Sequence, residues 1–255
     1  MTLSVVIPAY NEAATIADIV RRARQQVERV FVVDDGSCDA TAAQAEAAGA
    51  VVVRQPDNQG KGVSLWRGMQ IAVEQGATAV ITLDADGQHR PEDIPQLLEA
   101  HQHWPGCPII AARLECREAA PRLRRFANGM ADFWVSWAAG CPITDTQSGF
   151  RLYPAEFLRR ATGPEPGQRS FAFESALLMQ AGRQCRYPRV VAIATIYLAQ
   201  GRPSHYRPWR DTLRIVDLVA WSLLRRGLYP LGLLRSLRLL PLRLPSDNGA
   251  EGGES

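Results

Sequence analysis

The feature that most constrains the fold is a regular alternation, through the first half of the chain, of short β-branched runs with segments of helical periodicity. Each apolar run is continuous rather than alternating, which is typical of strands buried on both faces of a parallel sheet. The predicted strands cover residues 3–7, 30–33, 51–53 and 79–83, and the predicted helices between them cover 12–27, 39–48 and 62–75. Repeated strand–helix units predict a doubly wound α/β sheet that binds its ligands at the carboxyl ends of the strands.

The second half of the chain is less regular, because the alternation stops after about residue 105. Helical spacing predicts helices over residues 121–139 and 170–181, and apolar runs predict strands at 149–153 and 190–198. The final residues, 245–255, are rich in glycine, serine and acids, so we expect a disordered tail there.

Composition narrows the classes of function. Hydrophobic residues make up 46% of the chain, and the net charge of +3 without a clustered basic face disfavours nucleic acid as a partner. The five cysteines are widely spaced and contain no pair at metal-ligand spacing, which favours a reducing, cytoplasmic compartment. We expect neither a secretory signal nor a spanning helix, since no uncharged apolar run approaches roughly 18 residues.

Polar side chains follow three of the predicted strands at the point where each strand ends. They are Asn11 and Glu12 after the first strand, Asp34 and Asp35 after the second, and Asp84 and Asp86 after the fourth. Because the carboxyl ends of parallel strands meet at one edge of a sheet, this pattern predicts a site at that edge.

The most informative of these turns is Asp84-Ala85-Asp86-Gly87-Gln88. If the backbone is still extended there, Asp84 and Asp86 point the same way, and Gly87 lets the chain turn sharply beneath them. One or two carboxylates together with substrate phosphates are the usual ligands of Mg²⁺, and Mn²⁺ has similar preferences, so the turn predicts a metal–diphosphate site. The alternative is that these aspartates cap the helix that starts near Pro91.

Five motifs occur in order along the chain, and they are Val6-Ile7-Pro8-Ala9-Tyr10-Asn11-Glu12, Val33-Asp34-Asp35-Gly36-Ser37, Asn58-Gln59-Gly60-Lys61-Gly62, Asp84-Ala85-Asp86-Gly87-Gln88 and Asp145-Thr146-Gln147-Ser148-Gly149-Phe150-Arg151. Together they resemble family 2 glycosyltransferases of the GT-A fold, particularly the branch that transfers sugars to dolichyl phosphate and polyprenyl phosphate. The resemblance covers roughly residues 3–215. It implies a Rossmann-like, mostly parallel sheet flanked by helices, with a nucleotide-binding half at about 1–112 and an acceptor half at about 113–210.

The resemblance also implies an activity and a set of site residues. The activity is inverting transfer of a sugar from a nucleotide diphosphate, UDP or GDP, to a polyprenyl phosphate or another lipid acceptor, with Mg²⁺ or Mn²⁺ as cofactor. The implied nucleotide-sugar contacts are Pro8, Tyr10, Glu12, Asp35, Lys61, Asp84 and Arg113, and the implied metal ligands are Asp84, Asp86 and Gln88. The implied catalytic acids are Asp145 and Glu174, and Ser148 is assigned to the acceptor pocket.

Two positions depart from the family pattern. Related sequences often carry a second acid two residues after Glu174, where this chain has Ala176, and this departure weakens Glu174 as a catalytic group. His205 stands where the lipid-phosphate branch usually has lysine, so a phosphate contact there would lack a full charge near neutral pH.

The sequence leaves the acceptor chemistry open. A hydroxyl acceptor needs a base such as Asp145, whereas a lipid phosphate is already anionic. Two other functions stay as alternatives: a sugar-nucleotide pyrophosphorylase and a non-catalytic nucleotide-binding partner at the membrane. Pyrophosphorylases normally open with a Gly-rich signature, which Pro8-Ala9-Tyr10-Asn11 is not.

The segment 218–244 combines many leucines with Trp221 and Tyr229, and arginine is its only charged residue type. This composition predicts amphipathic helices over about 211–244 that lie on the cytoplasmic face of a membrane. Crossing is disfavoured because arginines interrupt the apolar run and Pro230 would kink or end a helix. Arg124 and Arg125, in an earlier basic helix start, are predicted to bind a lipid phosphate. The alternative is that the leucine stripe packs on the catalytic domain or on a second subunit.

Overall fold

The computed structural model of the chain describes residues 2–112, 122–168, 172–193 and 208–243. Within these ranges seven strands form one sheet, and they are β1 (Leu3–Ala9), β2 (Arg29–Asp34), β3 (Val51–Arg54), β4 (Ala79–Thr82), β5 (Ile109–Ala112), β6 (Arg151–Pro154) and β7 (Arg189–Ala192). Their order across the sheet is β3-β2-β1-β4-β6-β5-β7, and β6 is antiparallel to both of its neighbours. The other pairs are parallel, which confirms the predicted fold class.

Helices cover both faces of the sheet, and they are α1 (Ile16–Arg24), α2 (Thr41–Ala47), α3 (Lys61–Glu74), α4 (Ile94–His103), α5 (Arg122–Ala139), α6 (Ala155–Arg160), α7 (Ala172–Arg183), α8 (Pro208–Leu224) and α9 (Pro230–Ser236). Helices α1 and α4 pack on one face in a cluster that includes Val5 of β1. Helices α3, α6 and α7 pack on the other face in a cluster that includes Val6. Successive side chains of a strand point to opposite faces, so burial of both faces explains the continuous apolar runs of the sequence.

Helix α3 lies close to the sheet because of Gly68. A β-carbon at this position would come within 2.5 Å of Val6 Cγ1 and 2.9 Å of Val33 Cγ2. This close packing fixes α3, whose first residue is Lys61, against the two strands whose ends contribute to the predicted site.

Helix α8 shares a third apolar cluster with α5 and α7, built from residues such as Val135, Leu178, Ile215 and Val219. One side of α8 therefore packs on the rest of the fold, as the packing alternative for this segment required. Pro230 is the first residue of α9, which agrees with the expectation that it ends a continuous helix. None of the helices in the described ranges combines the length and the apolar character that crossing a bilayer requires.

Two elements, β5 and α6, were not assigned from the sequence, because runs of four and six residues are too short for periodicity to define. The strand predicted at 190–198 corresponds to β7, which ends at Ala192, and residues 194–198 of the predicted range lie outside the described residues. The predicted tail at 245–255 lies outside the described residues. The boundary between two functional halves near residue 112 and the limits of the C-terminal segment stay predictions.

Candidate active site

The loops that follow β1, β2 and β4 are tied to one another by side chains at the carboxyl edge of the sheet. The amide of Asn11 donates to Ser37 Oγ over 2.9 Å, and the amide of Cys38 donates to Asn11 Oδ1 over 2.9 Å. Thr15 Oγ1 donates to the carbonyl of Ala85 over 2.7 Å. The polar strand ends picked out in the sequence therefore form one connected edge, because β1 lies between β2 and β4.

Asp35 organises the turn that leads into α3. Its Oδ1 accepts from Gln55 Nε2 at 2.7 Å and from the amide of Gln59 at 2.8 Å, while Oδ2 accepts from the amide of Gly60 at 2.9 Å. The side chain is almost fully buried, and this burial raises the pKa of Asp35 despite the hydrogen bonds that act to lower it. Asp35 therefore holds the backbone directly before Lys61.

Lys61 joins two carboxylates from different parts of the chain. Its Nζ lies 2.7 Å from Asp84 Oδ1 and 2.8 Å from Glu174 Oε2, and the lysine side chain is 17% exposed. Burial acts to lower the pKa of Lys61, but the charges of Asp84 and Glu174 outweigh it and raise the pKa above its usual value. Burial likewise acts to raise the pKa of Asp84, but Lys61 and His89 bring it well below its usual range. Lys61 and Asp84 are therefore both charged near neutral pH.

Asp84 has two further close neighbours. His89 is buried, its Nε2 lies 3.6 Å from Asp84 Oδ2, and its ring packs against Phe150 with a centroid distance of 5.5 Å. Gly149 lies on another side, where an added β-carbon would overlap the Asp84 carboxylate. The chain therefore needs glycine at 149, because the backbone of this residue approaches the carboxylate directly.

Asp86 lies in a turn rather than in a strand, because β4 ends at Thr82. The condition of an extended backbone at Asp84 and Asp86 is therefore not met. Asp86 Oδ1 accepts from the amide of Gln88 over 3.0 Å, and burial followed by the nearby charge of Asp84 raises the pKa of Asp86. Neither aspartate caps the following helix, since neither the short 3₁₀ turn at Pro91–Asp93 nor α4 has a side-chain cap.

The chemistry of this turn fits a divalent cation whose coordination a substrate completes. Asp84 and Asp86 offer oxygen ligands, and their mutual repulsion is a cost that a cation would offset. Gln88 is part of the same turn and is partly buried. Within the described part of the chain no three or more acidic, histidine or cysteine side chains are grouped to hold an ion by themselves.

The residues 145–149 are held from two sides. Asp132 of α5 accepts hydrogen bonds from the amides of Asp145 and Thr146 at 3.2 and 2.9 Å. The buried guanidinium of Arg151 donates to the carbonyls of Thr146 and Ser148, each at 2.7 Å. Asp145 itself has a left-handed backbone with φ of 53°. The loop is therefore fixed in a conformation that an aspartate adopts only at a cost.

The other predicted residues lie around this cluster. Pro8 is buried within β1, and Tyr10 and Glu12 are partly exposed just beyond its end. Ser148 is fully buried and donates its hydroxyl to the carbonyl of Ala111 over 2.7 Å, so in this structure it holds the loop against β5.

The structure describes only part of the arginines predicted to contact phosphates. Arg125 is exposed near the start of α5, whereas Arg113 and the side chain of Arg124 lie outside the described residues. The roles of all these site residues stay predictions.

Three residues of the cluster were not singled out from the sequence as site residues: His89, Asp132 and Arg151. Arg151 had a usable signal, because it is a charged residue between Phe150 and Leu152 in an apolar strand. Asp132 lies within an aromatic stretch of α5, where a buried acid requires hydrogen-bond partners.

A mostly parallel sheet with carboxylates at the ends of its central strands is the GT-A architecture that the motifs implied. Residues 4–155 match the model of the family described as Glycosyl transferase family 2. The match spans more than half of the chain, and the chain belongs to this family.

Similar proteins agree with this assignment. An undecaprenyl-phosphate mannosyltransferase of Micrococcus luteus is 27% identical over 204 residues, covering 72% of this chain and 79% of the relative. A UDP-N-acetylglucosamine–dolichyl-phosphate N-acetylglucosaminyltransferase of Methanococcus voltae is 25% identical over 213 residues, covering 75% and 84%. Among solved structures, glucosyl-3-phosphoglycerate synthase of Mycobacterium tuberculosis, in complex with Mn²⁺, UDP-glucose and phosphoglyceric acid, aligns with a TM-score of 0.64. That alignment has 24% identity over 90% of this chain and 80% of the synthase, and it shows a shared fold.

Proposed function

We propose that the protein is a metal-dependent, inverting glycosyltransferase that moves a sugar from a nucleotide diphosphate to a membrane-associated acceptor, in particular a polyprenyl phosphate. The observation that carries this proposal is the convergence of Asp84, Lys61 and the 145–149 loop beside the partly buried Asp86. The names of two relatives, which specify undecaprenyl phosphate and dolichyl phosphate, support the class of acceptor.

The nucleoside of the donor is assigned to the edge formed after β1 and β2, where Pro8, Tyr10, Glu12 and Asp35 lie. The mycobacterial neighbour was solved with UDP-glucose, and the name of the Methanococcus relative specifies a UDP-sugar. These facts support a uridine nucleotide, with a guanosine nucleotide as the competing donor.

Transfer breaks the bond between the anomeric carbon and the diphosphate oxygen and forms a bond from that carbon to the acceptor oxygen. A divalent ion held by Asp84 and Asp86 would offset the negative charge that develops on the departing diphosphate. The Lys61 ammonium, 2.7 Å from Asp84, adds a positive charge to the same turn. Glu174 is 8% exposed and paired with Lys61, which suits orientation of that lysine better than proton transfer.

The acceptor is assigned to the side of the cluster formed by residues 145–149 and by the start of α5, with Arg124 and Arg125. Ser148, which is buried and donates its hydroxyl to the carbonyl of Ala111, would act on the acceptor by holding this loop. A lipid phosphate attacks as an anion and needs no strong base. A hydroxyl acceptor would transfer its proton to a carboxylate, for which Asp145 is the candidate. The lipid phosphate is favoured because α5 is part of an exposed apolar surface.

This C-terminal apolar surface joins α5 to α8 and α9. Its exposed large apolar side chains are Phe126, Met130, Trp134, Trp221, Leu224, Leu228, Leu231 and Leu234. The two parts are continuous, since Trp134 stacks on Trp137 at 5.2 Å between centroids and Trp137 Nε1 donates to the carbonyl of Leu228 over 3.0 Å. Exposed apolar patches of this kind mark interaction surfaces.

The charges around this surface favour an anionic bilayer as its partner. The segment from Leu218 onward carries Arg225, Arg226, Arg235, Arg238 and Arg243, and no acid occurs there before Asp247. Each arginine near an anionic leaflet contributes about 1 kcal/mol to binding. The surface would therefore hold the enzyme where a polyprenyl phosphate is found.

A donor screen tests the proposed function. The full chain is incubated with UDP- and GDP-sugars, with Mg²⁺, Mn²⁺ or excess EDTA, and with polyprenyl phosphate in anionic liposomes. We expect one donor to give a polyprenyl phosphosugar with the opposite anomeric configuration, and EDTA to stop the reaction. Retention of configuration, or transfer that survives EDTA, would contradict the mechanism, and transfer to soluble acceptors alone would contradict the lipid.

Asp145→Asn separates the two acceptor chemistries. On a hydroxyl acceptor, loss of a general base lowers the rate by about 100-fold or more. On a lipid phosphate, the variant should keep at least about a third of the wild-type rate, because no proton has to be removed. Rates on polyprenyl phosphate and on the free polyprenol make the comparison, and a large loss on the phosphate would contradict the proposed role of the acceptor as a preformed anion.

A further inference from the structure

We infer that Asp132 is a positioning residue that sets Asp145 and the 145–149 loop for the acceptor. This inference rests on the proposed function, because it takes the loop to be the acceptor side of the site. Asp132 lies on α5, outside the five sequence motifs, and it accepts hydrogen bonds from Asp145 and Thr146.

The carboxylate of Asp132 accepts hydrogen bonds from both of the first two residues of the loop. Oδ1 accepts from the amide and the hydroxyl of Thr146 at 2.9 and 2.7 Å, and Oδ2 accepts from the amide of Asp145 at 3.2 Å. Asp132 and Thr146 are 7% and 1% exposed, so water does not replace these bonds easily. Hydrogen bonds to a charged acceptor are stronger than neutral ones, and burial strengthens them further.

The opposite side of the loop is held through its carbonyl groups. Arg151, which is 1% exposed, donates to Thr146 O and Ser148 O, and its Nη1 donates to the carbonyl of Glu174 over 2.7 Å. Asp132 therefore fixes the amide side of the loop while Arg151 fixes the carbonyl side. Because the arginine also contacts the backbone of Glu174, the position of the loop is set relative to the residue that pairs with Lys61.

The loop requires this support because its conformation is strained and its surroundings are tight. Asp145 has φ of 53°, in the left-handed region that a non-glycine residue rarely adopts. At the other end, Gly149 approaches the Asp84 carboxylate so closely that it has no room for a β-carbon. Without Asp132 the Asp145 end is expected to relax, while the Gly149 end stays confined by Asp84.

The effect should fall on the acceptor and not on the nucleotide. The β1 and β2 loops are held by their own hydrogen bonds, through Asn11, Ser37 and Asp35. Loss of Asp132 leaves these bonds in place. A role in folding alone would instead change nucleotide binding, stability and turnover together.

Asp132→Asn is the variant that tests the inference. The amide has the shape of the carboxylate, but in either orientation one of its N–H groups faces a backbone N–H of Asp145 or Thr146. We expect kcat with polyprenyl phosphate to fall about 100-fold, because Asp132→Asn displaces the backbone of the loop, which Asp145→Asn leaves in place, and a displacement of about 1 Å has effects of that size. The Kd for the nucleoside diphosphate, measured by calorimetry, should stay within about twofold of wild type. Asp18→Asn, which removes a 59% exposed carboxylate on α1, is the matched control and should behave as wild type.

Hydrogen exchange gives a readout that does not depend on transfer. In Asp132→Asn the amides of Asp145 and Thr146 should exchange at least about tenfold faster than in wild type, while those of α3 keep their rates. Unchanged exchange in the loop, an unchanged kcat, or equal losses of kcat and nucleotide affinity would overturn the inference. If wild type transfers to no acceptor, the proposed function fails, and hydrogen exchange still decides whether Asp132 holds the loop.

Discussion

On each of the two sides of the candidate site, a buried aspartate holds a loop by accepting hydrogen bonds from its backbone amides, but the two aspartates lie on different kinds of element. On the proposed nucleotide side, the buried carboxylate of Asp35 accepts hydrogen bonds from the amides of Gln59 and Gly60. On the proposed acceptor side, the buried carboxylate of Asp132 accepts hydrogen bonds from the amides of Asp145 and Thr146. Asp35 lies at the end of β2, where neighbouring strands bring the loops together. Asp132 lies on a helix, and the loop that it holds is also bound by the buried charge of Arg151.

The two sides are therefore rigid for different structural reasons. The nucleotide side follows from the sheet, because parallel strands place their ends at one edge whatever the side chains are. The acceptor side follows from buried charged groups, which are stable only when all of their partners are present. We therefore expect substitution of Asp35 or Asp132 to act on the loop that each carboxylate holds, and substitution of the ion pair of Lys61 to reduce the stability of the fold.

The largest expected effect is the loss of Asp86, the proposed metal ligand at the junction of the two sides. Asp86→Ala should lower transfer about 1,000-fold or more, because a bound divalent ion contributes several kcal/mol to charge stabilisation in the transition state. Its thermal unfolding should change little, since relief of the repulsion from Asp84 offsets the lost hydrogen bond to Gln88. Transfer rates with saturating Mn²⁺ and melting temperatures check this, and full activity in the variant would remove Asp86 from the metal site.

The next effect concerns the buried charges that join the two sides. Lys61→Met leaves Asp84 and Glu174 without their shared cation, and we expect the free energy of unfolding to fall by about 3 kcal/mol at pH 7. Urea unfolding of both proteins measures this. Arg54→Met, which breaks a pair with side chains 59% and 51% exposed, is the control and should cost less than about 1 kcal/mol.

The difference in the free energy of unfolding between wild type and Lys61→Met should depend on pH. Lys61 helps to hold the pKa of Asp84 below its usual value of 3.8, so the pairing contributes stability above that pH and loses it as the pH falls through the folded pKa. Protonation of the unpaired Asp84 in the variant removes the cost of its burial. The difference in stability should therefore shrink below about pH 4. A difference that grows on acidification would contradict the charge assignment of the pair.

A smaller effect is expected on the nucleotide side. Asp35→Asn places an amide N–H against the backbone N–H of Gln59 or Gly60, and the affinity for nucleoside diphosphate should weaken about tenfold. Unlike Asp132→Asn, this variant should change affinity more than kcat. Calorimetry with UDP and GDP, together with steady-state rates, separates the two outcomes. An unchanged affinity would move the nucleoside away from this edge.

The fold and the meeting of the polar strand ends at one sheet edge could be predicted from the sequence for a physical reason. Strand ends such as Asp34 and Asp84 follow apolar runs directly, so their position along the chain also gives their position in the sheet. The pairing of Lys61 with Glu174 could not be predicted, because it joins residues more than 100 positions apart. Asp132 had no motif around it, and its partners become apparent only when α5 is placed against the loop. Local pattern thus predicts the sheet edge but not the contacts made across it.

The smallest expected effect tests the C-terminal apolar surface, which would hold the enzyme at the membrane that contains the lipid acceptor. Leu224 and Leu228 are 63% and 56% exposed, and the change of both to glutamine removes apolar area without adding charge. The affinity for anionic vesicles should fall about fivefold, because part of each side chain would otherwise be buried in lipid. Val51→Gln, at a 49% exposed position on the edge strand β3, is the matched control and should bind as wild type. Flotation of the full chain at low and high salt measures this, and salt should release the wild type because its arginines contribute to binding. If the full chain stays at the bottom with anionic lipid at low salt, the C-terminal apolar surface covers a protein partner instead, and a soluble acceptor becomes the better assignment.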